Sequence, residues 1–477
     1  MTLFSLGCSA QQTEEQALAS LRQMARDGQV PTDAYIAGIE SRFAGKRTGL
    51  LAKLLRAKIK FDNKDFVGAA ALLNTDEFRT KTSVADHALW LRGYALQEAR
   101  NHTEAMNVFT LLIADFPDSL YVTDARLKRA ASAIAAGQAA TVASSLKELN
   151  ELKNPDSSLL TAKSYEAQGD QSNAIKYYRQ VYFFGAGSDS ANEAEAKLTS
   201  LAQPLTPQSA EEAIARAERL FNARNFTAAE KAFADLSSAY PAALTSAVRV
   251  RQLTTFSNLK KAPEAQNVFN AIPSSAKEKE EAYYQLVMAN ARARQWPQAR
   301  TVAEEMRQKY PAGKFTPKAW IDAGMAARDA KNKIEEQSFL RSAVINFPNA
   351  VEVAGAQFEL AWLEHDNKNF SVSSKMLTEH LARYAQRDTT NRGKAGYWAA
   401  RDSQRAGMIA EACELYQAVL YRYAANWYGY LAGQRLAAMS CGPSGSTGAS
   451  SVSAAAAALK TITVAPETST SREIARA

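Results

Sequence analysis

One pattern constrains this chain more than any other: three positions that keep recurring together at fixed spacing. A small residue is followed four positions on by a bulky or apolar one, and twelve positions on by proline. Ala105, Phe109 and Pro117 form one such set, Ala229, Phe233 and Pro241 a second, and Ala299, Ala303 and Pro311 a third. Leu340 and Pro348 keep the eight-residue interval, with Glu336 where the small residue belongs. Less complete copies place that residue at Ala69, Ala140, Ala174, Ala265, Ser373 and Ala412, so the successive spacings run 36, 35, 34, 55, 36, 34, 37, 37 and 39. About 36 residues hold two short helices and their turns. One such hairpin cannot bury its apolar face alone, so each must stack on its neighbours. Helical periodicity opens at Thr13, whose hydroxyl caps a helix with Gln16 reaching back, and it persists to Met439 with no segment reading as a strand. The expectation is an all-α chain, a superhelix of about ten stacked hairpins with a long concave surface.

These offsets resemble the second helix of the tetratricopeptide repeat. There an alanine marks the close crossing of two helices, a large apolar residue follows, and proline ends the helix. The first helices agree through Leu89, Trp90, Tyr94, Tyr165, Leu220, Trp320, Trp362 and Trp398, an aromatic and leucine stripe read as core. The 55-residue step leaves room for one extra helix. Gly185, Gly187, Pro204 and Pro207 flank a helical stretch near Ala191 to Leu201. That divides the chain into repeats over 13–184, a hinge with an extra helix at 185–206, and repeats over 207–440. Residues 441–477 contain Ser, Ala, Gly and Thr without an aromatic and read as a flexible tail.

Composition narrows the function classes. A 46% hydrophobic, 22% charged chain is ordinary folded protein. No run approaches the roughly 18 to 20 apolar residues of a membrane-spanning helix. The net charge of +8 is scattered, with no block of like charge, so nothing reads as a nucleic-acid surface. The cysteines Cys8, Cys413 and Cys441 and the four histidines lack metal-ligand spacing, and no phosphate loop, dinucleotide fingerprint or Ser-His-Asp arrangement stands out. No catalytic residue, cofactor or metal is expected.

Met1 to Ala10 is apolar up to Gly7-Cys8 and then turns polar, which resembles the end of a bacterial lipoprotein signal. The resemblance implies lipidation of Cys8, with residues 1–12 a signal remnant and a chain facing the periplasm of a Gram-negative envelope, anchored at the outer membrane by acyl chains alone. The other reading is an ordinary leading segment with a buried cysteine. At the far end, Cys413 stands 12 residues before the turn near Ala425 and Cys441 16 after it, an axial difference of about 6 Å for antiparallel helices. Unwinding after Ser440 brings them within disulfide reach; otherwise both are unpaired thiols.

The segments Gly396-Tyr397-Trp398-Ala399-Ala400-Arg401, Ala412 to Tyr423 and Asn426-Trp427-Tyr428-Gly429-Tyr430-Leu431-Ala432-Gly433-Gln434-Arg435-Leu436 resemble soluble lytic murein transglycosylases just ahead of their catalytic domain. Trp398, Tyr416, Tyr423, Trp427, Tyr428, Gly429, Tyr430 and Arg435 carry that resemblance. It implies a periplasmic helical ring or arch bearing a lysozyme-like domain that cleaves peptidoglycan to a 1,6-anhydro sugar. The hallmark of that domain, Glu-Ser followed by Gly-Leu-Met-Gln, is imitated only by Glu40-Ser41, and after Gly49-Leu50 stand Leu51-Ala52. The expectation is therefore a non-catalytic scaffold positioned on peptidoglycan or on an envelope protein. The alternative is a tetratricopeptide adaptor that grips a protein or peptide in its groove.

Overall fold

The computed structural model describes residues 13–386, 391–441 and 450–462. Cys8 and the rest of the expected leader lie outside them. Every described element is a helix, with no strand among the described residues. The chain packs as two compact units, Met1–Ala223 and Arg224–Ala477.

In the first unit, Glu14–Arg26 and Asp33–Arg42 lead into the hairpin Arg47–Asp62/Phe66–Leu72, then a short helix, Glu77–Lys81. The hairpins Ala85–Glu98/His102–Asp115 and Pro155–Ala167/Gln171–Phe184 follow the repeat closely. Between them Val122–Ala135 has no single partner helix; Ala139–Thr141, Val142–Ser145 and Lys147–Glu151 take its place. The crossing expected at Ala140 is corrected here: Ala140 is exposed and Ala139 is buried. The turn after Val122–Ala135 ends at Gly137 with φ 77°, and five positions on, where the crossing residue stands in the other hairpins, is the buried Val142, with buried Leu146 four further along.

The second unit opens with Phe226–Ala239. It continues as the hairpins Ser246–Asn258/Ala262–Asn270, Lys279–Arg292/Trp296–Lys309, Thr316–Asp329/Lys333–Asn346, Val353–Asp366/Phe370–Tyr384 and Arg392–Arg405/Ile409–Tyr423. Trp427–Ala437 and Ser450–Lys460 close it. Ala265, Ala299, Ser373 and Ala412 are all buried, as are Phe269, Ala303, Leu377 and Tyr416 four residues on.

Two local devices set the hairpin geometry. The turn inside a hairpin passes through one residue with positive φ, five before the crossing residue: Lys64, Arg100 and Gly169 in the first unit, Lys260, Arg294, Lys331, Lys368 and Gly407 in the second. Next comes the N-cap of the second helix. Asp65 Oδ1, Asn101 Oδ1 and Asn332 Oδ1 accept from the amides of Gly68, Glu104 and Glu335 at 2.9, 3.4 and 3.2 Å. The stop is an aromatic residue before proline. Phe116, Tyr240, Tyr310 and Phe347 sit at φ −132°, −137°, −131° and −129° with ψ 59°, 58°, 60° and 49°. A proline ring crowds the residue before it out of helical ψ, which ends each helix at the same offset.

The aromatic stripe is core. Leu220 and Trp320 are buried, while Leu89, Trp90, Tyr94, Tyr165, Trp362 and Trp398 are half-buried against core clusters. Glu336 stands at a crossing and is only 2% exposed. Arg328 donates Nε to its Oε1 at 2.6 Å and Nη2 to Glu359 of the next hairpin at 2.8 Å. Burial opposes the charge on Arg328, but its bonds to Glu359 and Glu336 outweigh that and raise its pKa.

Two expectations change. The extra helix is Asp189–Ser200, inside 185–206, but the segment is fastened down and the chain divides later, between Ala223 and Arg224. Arg179 holds it, donating to Pro204 O at 2.7 Å, Thr206 O at 3.1 Å and Glu212 Oε2 at 2.8 Å. The tail is not wholly flexible either: Ser450–Lys460 is a helix that buries Val452, Ala455, Ala456 and Leu459. Their i, i+3, i+4, i+7 spacing is an apolar helical stripe hidden within low-complexity sequence.

Candidate binding groove

Stacking places the first helices of three consecutive hairpins side by side in the second unit: Ser246–Asn258, Lys279–Arg292 and Thr316–Asp329. They line a groove of about 500 Å³. Met288, Ala291, Met325 and Ala326 contribute apolar lining, and Asn258, Arg292, Asp322 and Asp329 add amide and charge. Lys260 and Arg294, the left-handed turn residues of two hairpins, join the same lining. Three cations, two carboxylates and an amide thus surround soft, adaptable thioethers.

Several of these groups are held in place. Asn258 Nδ2 donates to Thr254 O at 2.8 Å, and Arg292 Nη1 to Ser257 Oγ at 3.0 Å. Asp322 Oδ2 accepts from Tyr284 Oη at 2.6 Å and pairs with Lys318 at 2.8 Å. Burial first, and then the bond to Asp322, pushes the Tyr284 phenol far above its ordinary pKa, so it remains a donor. Such a surface can pair both with peptide backbone and with charged side chains, while methionines accept varied apolar groups.

A second polar cluster lies between Val353–Asp366, Phe370–Tyr384 and Arg392–Arg405. Asp402 is 0% exposed, accepts from Ser373 Oγ at 2.8 Å and meets His365 Nδ1 at 2.8 Å. Trp362 stacks on the His365 ring at 4.5 Å, and Trp398 meets it edge-on at 4.8 Å. Ser, His and Asp gather here, where the sequence showed no such arrangement. Their order differs from a nucleophile triad, because the serine hydroxyl is spent on the carboxylate.

The residues singled out from sequence fall around this end of the unit. Tyr416 and Tyr423 are buried, and Tyr416 Oη donates to Gln404 Oε1 at 3.1 Å. Asn426 Oδ1 caps Trp427–Ala437 by accepting from Gly429 N at 3.1 Å. A Cβ on Gly429 would lie 1.9 Å from Tyr423 O, so only glycine fits that turn. Trp427 and Tyr430 stack at 5.5 Å, Tyr428 is buried, and Tyr430 remains 53% exposed. Arg435 sits in the last turn of the same helix. Cys413 and Cys441 are joined by a disulfide with their Cα atoms 5.8 Å apart. Glu40 lies far from all of these in sequence, paired with Arg56 at 3.2 Å and Lys53 at 3.6 Å.

Sequence reading missed the groove and the Asp402 cluster, although one signal was present. Partners stand about one repeat apart: Tyr284 with Asp322, Ser257 with Arg292, His365 with Asp402, separated by 38, 35 and 37 residues. Among the described residues, no helix is long and apolar enough to cross a membrane, and no group of three His, Cys, Asp or Glu is placed to hold a metal ion.

Residues 87–119 and 156–182 match the tetratricopeptide repeat, and they fall on the two most regular hairpins of the first unit. Over these residues the chain carries tetratricopeptide repeats. No curated protein matches the sequence. Solved structures that resemble it include yeast Tom70, at 13% identity and a TM-score of 0.27 over 81% of this chain and 95% of that one. The APC/C hetero-tetramer Cut9-Hcn1 matches at 12% identity and 0.25, over 89% and 90%. The P58(IPK) TPR domain matches at 15% and 0.22, over 74% and 98%.

Proposed function

We propose that this chain is a protein-interaction scaffold that holds a peptide segment of its partner in the groove of the second unit. The observation that carries this reading is the mixed lining of that groove, where Asn258, Arg292 and Asp322 are fixed by neighbours around Met288 and Met325. Fixed polar groups lower the ordering cost of binding, and thioethers tolerate variation in the ligand's apolar side chains. Selection of a displayed random-peptide library on the purified chain tests it. Enriched peptides should lose at least tenfold in affinity on Arg292→Ala combined with Asp322→Ala, in protein whose melting is preserved. Peptides that bind this variant as well as the unmodified chain would remove the groove from the account.

The second reading is that the scaffold works in a bacterial envelope, at the periplasmic face, on peptidoglycan or beside a lytic transglycosylase. It is supported by the glycine-locked turn at Gly429 within the segment Asn426 to Leu436, and by the Cys413–Cys441 disulfide, a bond that persists in oxidising compartments. Lipidation at Cys8 belongs to this reading. Co-sedimentation with insoluble sacculi, and recovery of the chain from periplasmic fractions, are the observations that would support it. A chain that stays in the supernatant and in the cytoplasmic fraction sinks it.

A further inference from the structure

The helix Ser450–Lys460 lies against Phe370–Tyr384 and Ile409–Tyr423. Its apolar face is closed into the same core as Leu377 and Val419, and Ile462 just beyond it is buried too. The opposite face, with Ser453, Ala454, Ala457 and Lys460, is exposed. Gly396 forms part of the seat: a Cβ there would stand 2.8 Å from Val419 Cγ2 and 3.1 Å from Leu459 Cδ1. The trailing end is held through its carbonyls, since Gln386 Nε2 donates to Thr461 O at 3.4 Å and Arg422 Nη2 to Ile462 O at 3.2 Å. An eleven-residue helix is marginal in water, so its order comes from the seat.

We propose that this seat is a helix-docking site, separate from the groove and sharing no residue with it, for a small-residue amphipathic helix. Its partner presents an apolar residue, two alanines three and four positions on, and leucine at the seventh, with free carbonyls at its C-terminal end. The chain's own helix fills the site in cis. The Cys413–Cys441 bond ties the preceding segment to the helix that forms one wall. Tethering raises the local concentration of the cis helix, so even modest intrinsic affinity keeps the site filled. A partner helix of the same pattern enters when the cis helix leaves, which is the helix-in-groove mode of recognition.

The test uses the full chain and a fluorescein-labelled peptide of residues 450–462. In one protein, Ala456→Arg and Leu459→Asp on the chain's own helix empty the seat. The peptide should bind this protein saturably and at least tenfold more tightly than it binds the unmodified chain, and Arg422→Ala added to the variant should weaken binding several-fold. Equal affinity for both proteins overturns the proposal, as does absence of saturation on a variant that keeps its melting transition. In the unmodified chain, hydrogen exchange gives a second reading that requires no substitution. Amides of 452–460 should exchange through an opening distinct from global unfolding; exchange only through global unfolding overturns the proposal as well.

Discussion

The ring of Phe109 fills the space in front of Gly93: a Cβ added at Gly93 would stand 2.6 Å from Phe109 Cε1 and 2.9 Å from both Cδ1 and Cζ. Phe109 is fully buried and cannot swing aside, so the two helices of this hairpin meet only because position 93 lacks a side chain. Gly93→Ala should cost about 1–3 kcal/mol by overpacking, despite the better helix propensity of alanine. Chemical denaturation of the full chain measures this as an earlier transition. An unchanged midpoint would mean that the helices do not cross there.

The Arg328–Glu336 pair sits where the repeat asks for a small residue. Arg328→Ala leaves a buried carboxylate without its guanidinium and should destabilise by about 1–3 kcal/mol. Glu336→Ala alone restores the repeat's usual residue and should cost much less, and in the double variant most of the Arg328→Ala penalty should vanish. A double-mutant cycle reads the coupling directly. Strictly additive single effects would contradict the pairing.

His87 stacks on Tyr121 with ring centres 5.3 Å apart. Burial, with a smaller push from Lys58 and against the pull of Asp86, holds its pKa below the ordinary 6.5. The unfolded chain therefore takes up this proton first as pH falls. The stabilisation is complete above about pH 6.5 and is lost on acidification through the depressed value. His87→Phe should flatten the dependence of stability on pH below 6.5, and an unchanged slope would remove His87 as the cause.

The Cys413–Cys441 bond closes a 28-residue separation around Trp427–Ala437. Cys413→Ser with Cys441→Ser should weaken the second unit by roughly 3 to 4 kcal/mol in the chain-entropy description. A non-reducing peptide map should show the cross-linked pair, and two free thiols at these positions would contradict it.

Much of this fold is legible in sequence because its rules are local. Ala105, Phe109 and Pro117 each perform one step of the hairpin, a crossing, a filling and a stop, and each step needs a particular residue type at a fixed offset. Where composition turned monotonous, legibility failed. At Ala139-Ala140 an alanine pair suggests a crossing, while the five-residue offset from Gly137 falls on the buried Val142. In 450–460 the alanine run concealed Val452 and Leu459. The groove was hidden for a different reason. Asn258, Arg292 and Asp322 come from helix faces that the core does not dictate, and only the stacking of three repeats brings them together.

The most direct test of the account places a photo-reactive amino acid at Met325 in the groove and, in a second protein, at Ile345, which is exposed on the second helix of the same hairpin. Each is irradiated with a peptide selected on the unmodified chain, and adducts are mapped by mass spectrometry. The account predicts a peptide adduct from position 325 and none from 345. Adducts from 345 alone, or equal yields from both, would contradict a scaffold that holds its partner on the first helices.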